Sequence, residues 1–317
     1  MNLKRLKWMT VFLILMVLLT GCKNKENAGS EDSAYGMDGS DAFTDALGQE
    51  IRIRNPQRVV ALMGSFADTW LNAGGKLCGV TDDAWEDGLP LPDDVVSVGL
   101  YNSPSLETII GLSPDLVILS SETKEHAALK EALKQAHIKT AYFRVTYFDD
   151  YLSMLRICTD ITGREDLYKK NGLDVKKQIE DIISAHKQKN SPRILFLITY
   201  SGGAIAKNSE CMTGKMLKDL GCVNIADENE SLLKEFTMES IIKEDPDYIF
   251  VVPMGNDEEL ASKNLKESIE KNPAWRGLTA VKNHRYILLP KELFLYKPNE
   301  KWGESYAYLS KILDGSQ

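Results

Sequence analysis

A fourteen-residue pattern occurs twice in this chain, at residues 106–119 and 238–251, and it limits the folds that the chain can adopt. Each copy reads as a short helix, a Pro-Asp turn and a strand of apolar residues, because Pro cannot continue a helix and Asp tolerates a turn. A continuous apolar strand of this kind is typical of a sheet that is covered on both faces. Two copies of one such unit predict two lobes with a cleft between them.

Apolar runs outside the repeat predict further strands in both halves of the chain. They lie at residues 58–63, 77–80, 139–143, 193–199 and 286–289. Helical stretches separate them, and a last helix covers residues 304–313, so the pattern is that of βαβ units. We therefore predict an α/β fold of two βαβ lobes, the first at residues 45–145 and the second at residues 189–317.

Residues 146–188 lie between the two lobes and carry helical stretches at residues 149–162 and 164–186. The second stretch would extend about 35 Å if it is unbroken, at roughly 1.5 Å per residue, which is enough to run along both lobes. Asn171-Gly172 lies inside it and weakens the helical pattern, so the sequence leaves its continuity open. We predict a stiff, helical connection between the lobes.

The N-terminus is typical of an exported protein. A basic start and an uncharged apolar run of about a dozen residues, too short to span a bilayer, predict a signal peptide at residues 1–21. The run ends in Leu19-Thr20-Gly21-Cys22, which resembles the lipobox of bacterial lipoproteins. That resemblance implies diacylation of Cys22 and an extracytoplasmic protein anchored to the cell membrane, although an ordinary signal peptide with a chance cysteine is the alternative. Residues 22–44 are polar and predict a flexible tether.

The charge of the chain argues against nucleic acid as a partner. Residues 1–21 contain three cations and no anions, so the formal charge of −8 becomes −11 after their removal. Phosphate backbones require a basic protein face. Of the other cysteines, Cys211 and Cys222 flank a predicted helix that holds them too far apart for a disulfide. We expect all four, with Cys78 and Cys158, to be free thiols.

Short motifs occur in a characteristic order along most of residues 45–313. They include Arg58-Val59-Val60-Ala61, Ser105-Leu106-Glu107 with Ser113-Pro114-Asp115, Thr162-Gly163-Arg164-Glu165, Asp219-Leu220-Gly221 and Asn272-Pro273-Ala274-Trp275. In this order they resemble the helical-backbone metal-receptor family of substrate-binding proteins, which serve ABC importers of ferric siderophores, haem and cobalamin. The resemblance implies a monomeric binding protein, not an enzyme, with no intrinsic cofactor. Its implied partners are an ABC permease dimer with its ATPase and a metal-bearing small molecule.

The resemblance also implies a role for Glu107 and Glu239, which occupy the same position in the two repeats. In this family one glutamate on each lobe meets an arginine pocket on a permease subunit. Each glutamate lies in the first turn of its helix, where the helix dipole favours an anion, and off the apolar stripe formed by the next two isoleucines. A capping glutamate in solvent explains one such residue well and an equivalent pair less well.

Loops that follow the strands should face the cleft and contact the ligand. The predicted ligand-binding residues are mostly aromatic or sulfur-containing side chains, which suit a large, flat or apolar-rimmed ligand. They are Met63, Trp85, Tyr101, Arg144, Tyr147, Tyr200, Met254 and Tyr296, with Phe294 a further aromatic candidate. Basic residues are sparse in these loops, with Arg144, Lys207 and Lys297 as the candidates.

The sequence leaves the ligand open between an iron complex, either a ferric siderophore or haem, and cobalamin or another corrinoid. A free metal ion is disfavoured, because a buried divalent ion needs several His or carboxylate ligands close together and none of the four histidines lies near another. If the ligand is haem, the resemblance points to Met254 and Tyr101 as iron ligands. A surface sensor with the same fold is an alternative. A hydrolase using Ser65 is disfavoured because Met63-Gly64-Ser65 lacks the second glycine of a nucleophile elbow.

Overall fold

The computed structural model describes residues 42–186, 191–234, 237–255 and 271–315. The predicted signal peptide, Cys22 and most of the predicted tether lie outside these ranges. Within the described parts, no helix combines the length and the apolar character that a membrane span requires.

The first lobe contains a parallel sheet and two small hairpins. In chain order its strands are β1 (Ala42–Thr44), β2 (Glu50–Arg52), β3 (Val59–Ala61), β4 (Gly79–Val80), β5 (Val96–Ser97), β6 (Gly99–Leu100), β7 (Ser103–Pro104), β8 (Leu116–Ser120) and β9 (Lys139–Phe143). Its helices are α1 (Gly64–Asn72), α2 (Asp83–Glu86), α3 (Leu106–Gly111), α4 (Lys124–Ala128) and α5 (Lys130–Gln135). The parallel sheet has the order β5-β4-β3-β8-β9, and β1-β2 and β6-β7 form antiparallel hairpins.

The connection between the lobes is helical. It consists of α6 (Phe148–Thr162), α7 (Glu165–Tyr168), a π-helical turn (Lys169–Leu173) and α8 (Asp174–Ala185). Gly163 adopts a left-handed conformation (φ 72°) and ends α6. From Glu165 to Ala185 the backbone stays helical, because the junctions at Tyr168 and Leu173 keep right-handed helical angles. The chain therefore passes through Asn171-Gly172 without a break, by widening one turn.

Two contacts explain the wide turn. The Tyr151 hydroxyl donates a hydrogen bond to the Asn171 carbonyl oxygen at 3.0 Å, and the Asn171 side-chain amide donates to the Asn72 carbonyl oxygen at 2.8 Å. A Cβ atom on Gly172 would lie 2.7 Å from Leu152 Cδ1, so glycine permits the close approach of this turn to α6. A π turn releases backbone groups from the regular helical ladder, and Tyr151 uses one of them.

The second lobe repeats the parallel strand pairing of the first and adds one antiparallel strand, β11. Its strands are β10 (Arg193–Tyr200), β11 (Gly203–Lys207), β12 (Val223–Asn224), β13 (Tyr248–Pro253) and β14 (Tyr286–Leu288). Its helices are α9 (Met212–Asp219), α10 (Ile225–Glu228), α11 (Ser231–Lys234), α12 (Met238–Glu244), α13 (Thr279–Lys282), α14 (Lys291–Phe294) and α15 (Trp302–Leu313), with 3-10 turns at Pro273–Gly277 and Asn299–Lys301. The sheet order is β11-β10-β13-β14, with β12 beside the start of β10.

The two sequence repeats form the same structure in the two lobes. Ser113 and Asp245, which both precede a proline, adopt left-handed conformations with φ of 47° and 39°. Asp115 then accepts a hydrogen bond from the Arg58 backbone N–H at 2.9 Å, and Asp247 accepts one from the Arg193 backbone N–H at 2.8 Å. Arg58 directly precedes the central strand β3, and Arg193 is the first residue of the central strand β10. The repeat therefore ties the start of a central strand to its neighbour in each lobe.

The lobes and the connection share one hydrophobic core. Residues from both lobes and from the connection belong to it, including the fully buried Trp70, Tyr151 and Trp302. The ring of Phe148, at the start of α6, lies 5.9 Å from the ring of Trp302, at the start of α15. α15 also packs along α8. The predicted α/β architecture of two βαβ lobes joined by helices is confirmed.

Several boundaries differ from the sequence-based prediction. The strand predicted at residues 77–80 is only Gly79–Val80, and the strand predicted at residues 58–63 is only Val59–Ala61. A hairpin strand that the sequence analysis did not predict, β11, pairs with β10 along five residues. Each of the four cysteines Cys78, Cys158, Cys211 and Cys222 is a free thiol.

Candidate ligand-binding cleft

A cavity of about 350 Å³ opens at the carboxyl ends of strands from both sheets. Met63 follows β3 and Tyr101 lies in the turn of the β6-β7 hairpin, so both belong to the first lobe. Met254 follows β13 and Tyr296 follows α14, so both belong to the second lobe. Loops at the carboxyl ends of parallel strands commonly form ligand sites, and this cavity, called the cleft below, is the candidate site.

The other four predicted ligand-binding residues are not among the residues that line the cleft. Trp85 lies on α2, whose neighbouring residues do line it, and the Trp85 side chain is 41% exposed. Arg144 is exposed after β9, and Tyr200 is half-buried at the end of β10. The Tyr147 hydroxyl donates to the Glu210 carbonyl oxygen at 2.7 Å, and its ring lines a separate cavity of about 260 Å³ beside α8. Burial raises the pKa of Tyr147.

Three carboxylates line the cleft that the sequence analysis did not select: Asp83, Glu86 and Asp87. Asp83 accepts a hydrogen bond from the Gly64 backbone N–H at 2.7 Å through one oxygen, while its other oxygen is buried without a described hydrogen-bond partner. Burial, together with the charges of Asp83 and Glu86, raises the pKa of Asp87 to about 6. These residues flank Trp85, which the sequence analysis chose for its ring alone, so the acidic run at residues 82–87 was the overlooked signal.

Lys297 is the only basic residue among the described residues that line the cleft. Its Nζ atom lies 3.9 Å from the sulfur of Met63 and 5.9 Å from the ring centre of Phe66. Burial lowers the pKa of Lys297, and the carboxylates of Glu122 and Asp83 oppose that effect. The ammonium group therefore lies against apolar groups, within the electrostatic influence of two carboxylates.

A second cavity of about 470 Å³ adjoins the cleft and shares Ser65, Glu86, Asp87, Tyr296 and Lys297 with it. Along this cavity the loop after α14 is fastened to α1 of the first lobe. The Asn299 side-chain amide donates to the Ser65 carbonyl oxygen at 2.8 Å and to the Asp68 carboxylate at 2.7 Å. Burial, aided by the charge of Glu300, raises the pKa of Asp68 to about 6. We call this set of contacts the interlobe clasp.

His126 is buried next to the turn that carries the cleft residue Tyr101. It is fully buried, its Nδ1 atom accepts from the Ser120 backbone N–H at 3.0 Å, and its Nε2 atom lies 2.7 Å from the Tyr101 carbonyl oxygen. Since Nδ1 accepts, Nε2 carries the proton and donates to Tyr101. Burial lowers the pKa of His126, in keeping with a neutral ring. His126 therefore fixes the turn that carries Tyr101.

The two residues that the resemblance suggests as haem-iron ligands lie together in the cleft. In the described parts of the chain, no group of three or more His, Cys, Asp or Glu residues is arranged to hold a metal ion. Tyr101 and Met254, the candidate ligands for haem iron, line the same cleft from opposite lobes. Their side chains are 47% and 42% exposed, so both are open to an incoming molecule.

The paired glutamates lie on the outside of the two lobes. Glu107 and Glu239 are exposed on α3 and α12, which lead into the amino ends of β8 and β13 and therefore lie away from the strand ends at the cleft. Ser105 and Thr237 cap these helices in the same way, each accepting a hydrogen bond from the backbone N–H three residues later, at 3.2 and 3.3 Å.

The expectation that both following isoleucines form a buried stripe is wrong. Ile109 and Ile241 are fully buried, but Ile110 and Ile242 are 39% and 43% exposed. The reason is helical geometry, since a residue three positions after the glutamate returns to the glutamate's own face. Each lobe thus presents a carboxylate and an exposed isoleucine side by side.

A family model described as periplasmic binding protein matches residues 59–293. The chain belongs to the periplasmic binding protein family. This match spans both sheets, the helical connection and the residues of the cleft up to α14.

The chain is similar to two curated proteins of Bacillus subtilis (strain 168). It is 26% identical to the Fe(3+)-citrate-binding protein YfmC over 281 residues, covering 87% of this chain and 86% of the relative. It is 29% identical to the putative ABC transporter substrate-binding lipoprotein YhfQ over 291 residues, covering 86% of each.

Among solved structures, the crystal structure of Staphylococcus aureus IsdE complexed with heme has the same fold. Its TM-score is 0.65 at 19% identity, and the match covers 80% of this chain and 98% of that one. The fold of this chain is therefore also that of a protein crystallised with a bound ligand.

Proposed function

We propose that this protein is the lipid-anchored substrate-binding component of an ABC importer, which captures an iron complex in the cleft and delivers it to the permease. The observation that supports it most is the cleft itself. Each lobe of this periplasmic binding protein contributes one methionine and one tyrosine to a single cavity, which lies at the carboxyl ends of strands from both sheets. Soft sulfur atoms and aromatic faces suit a large metal complex with an apolar rim.

The names of the relatives support iron as the metal. YfmC is named for ferric citrate, and IsdE was crystallised with heme. A ferric siderophore or haem is therefore the proposed cargo. The proposed cargo is a complex that brings its own metal ligands, in keeping with the described residues, among which no three metal-binding side chains are clustered.

The test is the absorption spectrum of the protein purified with its natural cargo, followed by titration of the empty protein with candidate complexes. Haem gives an intense Soret band, ferric siderophores give weaker charge-transfer bands, and corrinoids give a different visible pattern. A corrinoid spectrum would replace iron by cobalt in this proposal. Failure of iron chelates, haem and cobalamin to bind at micromolar concentrations would overturn it.

Membrane anchoring is the second part of the proposal. The sequence Leu19-Thr20-Gly21-Cys22 supports it, and YhfQ, which is 29% identical to this chain, is named a lipoprotein. Two acyl chains hold a protein on a membrane stably, whereas one chain does so only marginally. The anchored protein would work outside the cytoplasm beside its permease.

Docking to the permease is the third part. Glu107 with Ile110 and Glu239 with Ile242 form two matching exposed pairs, one on each lobe. A permease made of two equivalent subunits would offer two matching sites for them. The two pairs lie on helices away from the cleft, so one protein can hold cargo and permease at the same time.

A further inference from the structure

Charge distinguishes this cleft from a receptor for anionic chelates. Among the described residues, three carboxylates, Asp83, Glu86 and Asp87, line it together with a single cation, Lys297. In the adjoining cavity the described lining adds the carboxylates of Asp68, Glu292 and Glu300 and the cations Lys291 and Lys301. Carboxylates therefore outnumber cations in the described lining of both cavities.

Lys297, the cation in the described lining of the cleft, is poorly placed to bind an anion. Lys297 contacts the Met63 sulfur and the Phe66 ring, and the carboxylates of Asp83 and Glu122 already act on it. The other basic residues selected from the sequence do not compensate. Arg144 and Lys207 are not among the residues that line either cavity.

We propose that the cleft selects metal complexes that are neutral or positively charged and rejects chelates that carry free carboxylates. This inference rests on the proposed function, because it assumes that the cleft holds the cargo. Like charges in a partly desolvated site repel more strongly than in water, and such repulsion is a means of excluding wrong ligands. Three singly charged hydroxamates cancel the charge of Fe³⁺, whereas citrate or catecholate ligands leave a net negative charge. Of the proposed cargoes, a hydroxamate-type ferric siderophore therefore fits the cleft. Ferric citrate does not fit, and neither does haem, whose two propionates are free carboxylates.

The test uses one chelate core at three charges. Ferrioxamine B carries a free ammonium group, its N-acetyl derivative is neutral, and its N-succinyl derivative carries a carboxylate in the same place. Binding to the detergent-solubilised full-length protein is followed by quenching of tryptophan fluorescence. We expect the affinity to fall by about tenfold for each step towards negative charge, and ferric citrate to bind more weakly than all three.

Two variants and one control link this order to the cleft. Glu86→Gln and Asp87→Asn should each raise the affinity for the anionic derivative. The differences in affinity among the three derivatives should therefore become smaller. Glu131→Gln removes a carboxylate from α5, which lines neither cavity, and should leave the order unchanged.

The outcomes separate this inference from the function on which it rests. Equal affinities across the series would overturn the inference, and so would ferric citrate or haem as the only ligand that binds; either result leaves iron-complex binding intact. If no iron complex binds, the proposed function fails together with the inference.

Discussion

The Nζ atom of Lys297 lies 3.9 Å from the sulfur of Met63, a residue 234 positions earlier in the chain. Met63 ends the segment that follows β3, and Lys297 lies in the loop that follows α14, so this contact joins the two lobes at the cleft. The interlobe clasp continues the junction, with Asn299 bonded to Ser65 and Asp68. The two lobes are therefore joined beside the cleft by this loop as well as by the connecting helices.

Removal of a cleft tyrosine should weaken cargo binding. Tyr101→Ala and Tyr296→Ala each delete a ring that lines the cavity, and we expect a loss of about 1–3 kcal/mol in binding free energy, as for a buried aromatic contact. Tyr200→Ala deletes a ring outside the cavity lining and should cost less. Fluorescence titration with the natural cargo measures all three. An equal loss in all three variants would extend the site to the end of β10.

Reversal of the paired charges should impair transport without affecting cargo binding. Glu107→Arg and Glu239→Arg place a cation opposite the proposed permease arginines, and loss of a paired interfacial charge costs about 2–5 kcal/mol. Stimulation of the transporter's ATPase should fall in each variant, and most in the double variant, while cargo affinity stays unchanged. The control is Glu131→Arg, on α5. Loss of cargo affinity with intact stimulation would place these glutamates in the cleft.

Exposed isoleucines should contribute to the same docking surface. Ile110→Ala and Ile242→Ala remove apolar groups beside the two glutamates, so docking should weaken while folding is little changed, because both side chains are about 40% exposed. The corresponding changes at Ile109 and Ile241, which are fully buried, should instead lower the free energy of unfolding by about 2–5 kcal/mol. Thermal unfolding and ATPase stimulation on the same preparations distinguish the two effects.

Lowering the pH should stabilise the folded protein, because the ionised carboxylate of Asp68 is buried unfavourably in the interlobe clasp. The pKa of Asp68 is about 6 in the folded protein and 3.8 in its ordinary state, so the folded state binds an extra proton between these values. The stability contributed by this group is complete below pH 3.8 and is lost as the pH rises through about 6. Asp68→Asn should remove about 1–2 kcal/mol of the stability gained between pH 7.5 and pH 5, after allowance for partial exposure.

Denaturant unfolding of the wild type and the variant at both pH values measures this difference. Asp87 titrates in the same range, so only the difference between the two proteins reports on Asp68. Asp94→Asn, at an exposed position of the first lobe, is the control and should behave like the wild type. An unchanged pH dependence in Asp68→Asn would show that its carboxyl group titrates normally.

The anchor is testable separately from the cleft. Cys22→Ala should release the protein from membranes or leave it unprocessed, because Cys22 is the residue placed for diacylation. Membrane fractionation followed by mass measurement of the protein checks this. Mature-size protein that stays on the membrane after this change would contradict the lipoprotein assignment.

Much of the architecture could be predicted from the sequence, because periodicity reports burial. The repeats at residues 106–119 and 238–251 predicted the two lobes correctly, since an apolar run after a Pro-Asp turn fits few structures other than a buried strand. The π turn at Lys169–Leu173 could not be predicted, because it depends on the hydroxyl of Tyr151 meeting the carbonyl of Asn171 in three dimensions. Strand β11 was missed because its alternation is short and begins with glycine.

The site was predicted less completely for a similar reason. Loops after strands point to the cleft, and this rule found Met63, Tyr101, Met254 and Tyr296. The rule does not say how far a loop turns, and it therefore failed for two residues. Tyr147 is hydrogen-bonded to Glu210 outside the cleft, and Arg144 lies at the surface. A charged residue was considered only if basic, which is why the carboxylates of α2 were overlooked.

The interlobe clasp has a consequence for the rates of capture and release. Walls that are already fastened need little rearrangement when a cargo arrives, so capture would proceed close to the speed of diffusion into an open slot. A cargo that enters without moving the walls can also leave without moving them, so its rate of escape is set by the contacts that it makes inside the cleft. In the proposed import cycle, a transporter that holds each lobe at its outer helix would therefore have to weaken those contacts by separating the lobes, and ATP would supply the work of parting Asn299 from Asp68.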